Sequence, residues 1–277
     1  MSRMLPEKFI DRLQEIYPED HQEILMNMAL CERVAYRRNP HKFTDEEFAE
    51  FNNSLDSNEV DFYQDARTVP YAQREILVNS SEFSEGKIYI QNLSSMLAPL
   101  ELDPGKDDWV CDFAAAPGGK TLLLSALMHN EGQISAVEVV KKRFFRLKEN
   151  LRVANAENVR CYLTDGRSVG KKCPERFDHV LLDAPCSSEA RMHPDKEESY
   201  SHWTYKKVKE CARKQKGLIL AAYESLKPGG RLIYCTCSFA PEENEAVLQF
   251  LLDQSENEME MRDIDYQYST YSSGLTK

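Results

Sequence analysis

Two cysteines stand just beyond the ends of two separate strand-like runs, Cys186 in LLDAPCSS and Cys237 in IYCTCSF. Upstream of both, a glycine turn, DFAAAPGGKT over 112–121, follows a third apolar run. A thiolate is a covalent nucleophile. Small residues and paired glycines let backbone N–H groups approach a ligand at the start of a helix. Together they predict a bound cofactor and covalent catalysis on a second substrate. A cysteine taken singly reads as a small buried hydrophobe, and that reading is applied to Cys31, Cys111, Cys161, Cys173 and Cys211. Position separates Cys186 and Cys237 from these, because each lies in a loop among small polar neighbours at a strand's carboxyl end. Cys235 points the same way on an extended strand and is a fallback, one pleat deeper.

The elements that must position these residues are legible between about 109 and 238. WVCDFA (109–114), GQISAVEV (132–139), NVRCYLTD (158–165), FDHVLLDAP (177–185) and GRLIYCTCS (230–238) read as strands. KTLLLSALMH (120–129), KKRFFRLKENLRVANA (141–156) and YKKVKECARKQKGLILAAYESLK (205–227) read as helices, and so does PEENEAVLQFLLDQ (241–254). Strand and helix in alternation predict an α/β fold, a parallel sheet with helices on both faces. The first hundred residues are different, acidic and with helical stretches such as FIDRLQEIY and DEEFAEFNNSL. YIQNLSSMLAPL (89–100) is read as a helix leading into the catalytic domain. The expected division is an N-terminal α+β region over 1–88, a cofactor-binding domain over 89–254 and an acidic, Ser/Tyr-rich tail over 255–277.

In an open parallel sheet a cofactor binds at the carboxyl ends of the strands. Glu138 ends the second strand about 20 residues after the turn, the distance at which an acidic side chain meets ribose hydroxyls. Asp165, ending the third strand, is placed to accept from an adenine amine. Acidic residues would repel a phosphate, so the set suits an adenosyl cofactor without one. The turn is not GxGxxG, which argues against a nicotinamide enzyme. A P-loop would need glycine at 114, where Ala114 stands, although HVLLD (179–183) imitates the strand and aspartate of an ATPase. The P-loop ATPase is therefore the competing class; Ala114, Pro117 and Glu138 count against it.

One chemistry that needs this set is methylation of an unreactive pyrimidine carbon. Carbon 5 of cytosine is a poor nucleophile until a thiolate adds to carbon 6. A carboxyl group facing the ring nitrogen or amine would hold the base, and Asp183 fits. A second cysteine could assist elimination. The target base must be single-stranded or flipped out.

These motifs resemble the RNA cytosine-5 methyltransferases of the Nol1/Nop2/Sun family, in particular its bacterial ribosomal-RNA branch. DFAAAPGGKT resembles the cofactor motif, DAPCS (183–187) the fourth motif and TCS (236–238) with PEENE (241–245) the sixth. YIQNLSSM (89–96) and the Trp203 to Gln215 segment also match, so the resemblance covers about 90–250. It implies a class I, Rossmann-like fold and S-adenosylmethionine as cofactor, with a small RRM-like region ahead of it, at which RRNP (37–40) hints. Cys237 would form the covalent bond and Cys186 would help release product, with Asp183 and Lys120 lining the base pocket. Ala114, Ala115, Ala116, Pro117, Gly118, Gly119, Lys120, Glu138, Asp165 and Asp183 would surround the cofactor, and Arg143 matches a basic position of the family. Two departures stand out: alanine at 114 where many members carry cysteine, and an end at SSGLTK where members usually add a strand pair. A DNA cytosine-5 methyltransferase using Cys186 is the rival enzyme, but it leaves TCS without a role.

Charge and composition bound the partners. The net charge of −11 is uneven. Residues 1–100 carry 10 Lys and Arg against 18 Asp and Glu, and 242–277 carry 2 against 9, whereas 101–241 carry 23 against 19. The cysteine-bearing segment is thus mildly basic, which weakens the objection to RNA as a partner, ribosomal RNA ahead of transfer RNA. Lys206, Lys209, Arg213 and Lys216 form one helical stripe, and Lys141, Lys142, Arg143, Arg146 and Lys148 crowd another helix. Either alone reads as a solvated face. The loop CSSEARMHPDKEE (186–198), with Arg191, is the preferred RNA contact. The eight cysteines form no CxxC pair and there is no long apolar run. The expectation is a cytoplasmic monomer with reduced thiols and no metal or membrane partner.

Overall fold

The computed structural model describes residues 5–30, 32–256 and 258–264. In chain order its elements are α1 (Glu7–Ile16), α2 (His21–Ala29), β1 (Arg33–Arg38), α3 (Asp45–Asn53), β2 (Asn58–Glu59), β3 (Ala66–Pro70), α4 (Arg74–Asn79), α5 (Ser81–Ser84), β4 (Ile88–Ile90) and α6 (Leu93–Leu102). There follow β5 (Trp109–Asp112), α7 (Gly119–Leu127), β6 (Gln133–Glu138), α8 (Lys141–Val153), β7 (Val159–Leu163), α9 (Val169–Lys172), β8 (Phe177–Asp183), α10 (Tyr205–Ser225), β9 (Leu226–Cys235) and α11 (Glu245–Gln254). The segments read as strands and helices from 109 onward are all present. The exception upstream is 89–100. Ile88–Ile90 is a strand paired with β1, and the helix begins only at Leu93, after Asn92. Alternating Ile-Tyr-Ile suits a pleat, and the helical spacing of the residues after Asn92 masked it.

The chain divides into two compact units. One unit comprises 31–183 and 221–234. It holds an antiparallel sheet of order β2-β3-β1-β4 and a sheet of order β7-β6-β5-β8-β9, in which β5 pairs in parallel with β6 and β8, and β6 with β7. This is the Rossmann-like arrangement, with β5 central and the order reversing beside it. Val110, Ile134, Val180 and Leu181 of the strands are fully buried, as are Leu123 and Leu124 of α7, the apolar burial that a covered parallel sheet demands. Over the antiparallel sheet, Tyr36, Phe43, Phe48, Val69, Leu77 and Ile88 form a second core. Helix α3 is started there by a capping box, Thr44 and Glu47 each bonding the other's backbone N–H.

The other unit comprises residues up to 30, 184–220 and 235 onward. Its core joins Leu5, Phe9 and Leu13 of α1 to Met192, Tyr200, Trp203, Val208 and Ala240, with the Phe9 ring edge-on to Trp203 at 5.5 Å. Helix α1 therefore packs with the segment after β8. Among the described residues no helix is long and apolar enough to cross a membrane. Cys31 and most of the tail, 265–277, lie outside the described residues.

Candidate active site

In the first unit the glycine turn joins β5 to α7. Gly118 has φ of +113°, a conformation that L side chains resist, and a Cβ there would lie 3.0 Å from the Leu147 side chain. Ala115 and Ala116 are buried in the cluster with Leu122, Leu147 and Leu151. The turn is held from outside as well. Arg143 donates to the Ala116 carbonyl at 2.5 Å, Asn150 to the Pro117 carbonyl at 2.7 Å, and Arg37 to the Gly119 carbonyl at 3.0 Å. Arg143, expected near the cofactor, is thus also a strut of the turn and an ion-pair partner of Glu138 at 3.3 Å.

Glu138 ends β6 and is 2% exposed. Its Oε1 accepts from the Val140 N–H at 2.8 Å. Its Oε2 is buried and receives no hydrogen bond among the described residues. That oxygen carries the 3.3 Å ion pair with Arg143, and a carboxylate at the end of the second strand has the acceptor chemistry for the hydroxyls of an adenosyl ribose. Asp165 also stands at a strand end, but Arg167 grips both of its oxygens at 2.6–3.1 Å. That contact, above all, holds its carboxyl below the usual range, and an adenine amine would have to share this acceptor. Lys120 donates to Asp183 at 2.6 Å, so the two residues expected at the base form a pair. Beneath the turn Asp112 is buried, accepts from the Thr121 hydroxyl at 2.7 Å and has its carboxyl pushed up to about 6 by burial.

In the second unit the structure brings the two cysteines together. Cys186 and Cys237 have their sulfurs 3.1 Å apart, and the Cys237 N–H lies 3.4 Å from the Cys186 sulfur. The hydrogen bond with Cys237, then burial, pushes the Cys186 thiol well up. Cys235 is the last residue of β9, and its carbonyl accepts from the Ala184 N–H. Cys111 and Cys211 are buried as expected of packing cysteines, whereas Cys161 and Cys173 are half-buried.

The residues that hold the cysteine loops carry no clear mark in the sequence. Glu243 and Gln215 are fully buried and Glu189 is nearly so. Glu189 accepts from Trp203 Nε1 at 2.8 Å and from the Phe239 N–H at 2.9 Å, and Asn244 ties Thr236 to the carbonyls of Ser238 and Ala240. The only signal is acidity in an apolar context, and PEENE reads equally as a helix start. Arg37 is unmarked as well. It is 1% exposed, bonds Gln91 at 2.9 Å and spans from β1 to the turn. Of the basic stripes, Lys141, Lys142, Arg146 and Lys148 are exposed on α8, and Lys206, Lys209 and Arg213 on α10. Lys209 stacks on Tyr205 and the half-buried Lys216 on Phe250. Arg191 is exposed in its loop.

Residues 99–274 match the family model described as 16S rRNA methyltransferase RsmB/F. The chain belongs to this family. Ribosomal RNA small subunit methyltransferase F of Vibrio atlanticus (strain LGP32) is 34% identical over 94% of this chain and 56% of its own length. The protein of that name from Aeromonas hydrophila is 41% identical over 64% of this chain and 38% of its own. The chain thus spans about half the length of the curated relatives it matches. A methyltransferase homologue from Pyrococcus horikoshii superposes with a TM-score of 0.77 at 33% identity, over 90% of this chain and 78% of that one. NSun6 from the same organism, at 21% identity, shares the fold with a TM-score of 0.79 over 92% of this chain and 88% of its own. Family membership makes S-adenosylmethionine the cofactor, and the turn and Glu138 fit it.

Proposed function

We propose that the protein methylates carbon 5 of a cytosine in ribosomal RNA through a covalent bond from Cys237. The family's description supports ribosomal RNA as the substrate class. The observation that carries the reaction is the thiol pair. The two sulfurs lie 3.1 Å apart, and the contact together with burial raises the Cys186 thiol, which suits Cys237 to be the thiolate and Cys186 the partner beside it. Cys237 then adds to carbon 6 of the target ring, which turns carbon 5 into a nucleophile. S-adenosylmethionine, when bound, supplies an electrophilic methyl group. After transfer, water takes the carbon 5 proton, the carbon 5–carbon 6 double bond re-forms and the Cys237–carbon bond breaks with its electron pair returning to the Cys237 sulfur, where the adjacent Cys186 thiol can stabilise the departing thiolate. The paired Lys120 and Asp183 offer one donor and one acceptor for a cytosine amine and ring nitrogen or carbonyl. Glu138 would hold the cofactor's ribose. No observation favours ATP hydrolysis: Ala114 occupies the position a P-loop glycine would need.

The test is nucleoside mass spectrometry of unmodified 16S rRNA incubated with the protein and S-adenosylmethionine. One 5-methylcytidine per transcript, absent with Cys237→Ala, is expected. Methylation that survives Cys237→Ala and is lost with Cys186→Ala would overturn the assignment in favour of the DNA-type mechanism.

A further inference from the structure

Each active-site cysteine is followed by a serine, and one buried carboxylate joins the two serines. Glu243 Oε2 accepts from the Ser187 N–H at 2.9 Å, and Glu243 Oε1 accepts from the Ser187 hydroxyl and lies 2.8 Å from the Ser238 hydroxyl. The serine oxygens are themselves 3.1 Å apart. On the other side of Cys186, Gln215 Nε2 donates both to the Pro185 carbonyl at 3.0 Å and to Glu243 Oε2 at 2.9 Å. Glu243 therefore reaches the residues that flank Cys186 and the residue after Cys237. These segments are about 50 residues apart in sequence; the Ala184 N–H to Cys235 carbonyl and Ala190 N–H to Cys237 carbonyl bonds also join them, and Glu189 accepts from the Ser238 hydroxyl, but Glu243 is the side chain that reaches the residues next to both cysteines. Glu243 is fully buried. A carboxylate is kept in such a place only where hydrogen bonds hold it.

We propose that Glu243 is a positioning residue that sets the register between Cys186 and Cys237, and with it the step that releases the product. The proposal rests on the reaction assigned above. Adduct formation needs Cys237 alone, whereas release needs both thiols in register. A group that sets only their spacing should slow the second step more than the first. Charge-assisted hydrogen bonds to a carboxylate outweigh neutral ones, so Glu243→Gln keeps the shape but weakens every tie and leaves the carboxamide NH₂ facing donors.

Two readouts test this. The first is geometric and independent of methylation: the rate at which diamide, a two-electron oxidant, joins Cys186 to Cys237 with loss of both thiol hydrogens, mapped by peptide mass. The second compares turnover with the denaturant-resistant protein–RNA adduct. In Glu243→Gln, slower cross-linking, turnover reduced between about tenfold and 100-fold and a larger adduct fraction than wild type are expected, with S-adenosylmethionine affinity unchanged. If that variant does not fold, Ser187→Ala removes one tie alone and should shift both readouts the same way by less. Cross-linking at the wild-type rate overturns the proposal. So does a fall in adduct and turnover by the same factor, which is what a purely structural role gives. A wild-type protein that neither methylates nor traps RNA instead overturns the assigned reaction, and the diamide arm distinguishes that failure from the first.

Discussion

Replacing Asp112 by asparagine should remove a pH-dependent part of the protein's stability. Asp112 closes β5 under the glycine turn and is 1% exposed. Burial raises its carboxyl from 3.8 to about 6; the nearby Asp183 adds to the rise, while the Thr121 hydroxyl and Lys120 oppose it. The folded value lies above the unfolded one, so the folded chain holds this proton more tightly. The stabilisation is complete below the unfolded value and is lost as pH rises through about 6. Between about pH 5 and about pH 7.5 it amounts to a factor of about ten in the folding equilibrium, or about 1.4 kcal/mol. For a chain of this size that corresponds to about 3–6 °C in melting temperature. Carboxylates whose values are lowered, such as Asp165 under Arg167, have the opposite slope. The informative quantity is therefore wild type minus variant, measured by calorimetry across that range at fixed ionic strength. The difference should fall as pH rises. A difference that is flat, or that grows with pH, would refute the reasoning.

Three further substitutions probe the cofactor turn. Glu138→Gln removes the carboxylate assigned to the ribose, and S-adenosylmethionine affinity by calorimetry should weaken about tenfold to 100-fold; unchanged affinity would remove Glu138 from the site. Gly118→Ala forces a side chain into φ of +113° and against Leu147, costing about 1–2 kcal/mol, with cofactor affinity falling as the turn shifts. Arg37→Lys cannot keep the guanidinium's separate bonds to Gln91 and Gly119. It should cost about 1–3 kcal/mol in a urea titration and weaken cofactor binding, and wild-type values for both would show that the strut carries no load.

Legibility in the sequence tracks how local a feature is. Strands such as HVLLD and ISAVE announce themselves because a covered parallel sheet keeps the run mainly apolar up to the acidic residue at its carboxyl end. The glycine turn is legible because its backbone conformation needs Gly118. Cys186 and Cys237 stand out by their place after strands, and the structure puts their sulfurs in contact. The supports are invisible because they are long-range. Ser187 and Glu243 are 56 residues apart, and Arg37 reaches Gly119 across 82. Nothing in PEENE distinguishes the buried Glu243 from the exposed acids of an ordinary helix start. The same reason explains α1. Its apolar face at Phe9 and Leu13 is readable, but its pairing with Trp203 is not.

The most direct test of the central claim is to trap the covalent intermediate. Wild type, Cys186→Ala and Cys237→Ala are each incubated with S-adenosylmethionine and unmodified 16S rRNA, then resolved under denaturing conditions. The expected result is that Cys186→Ala accumulates a protein–RNA adduct and that Cys237→Ala forms neither adduct nor 5-methylcytidine. An adduct that persists in Cys237→Ala and vanishes in Cys186→Ala would contradict the assignment of Cys237 as the nucleophile.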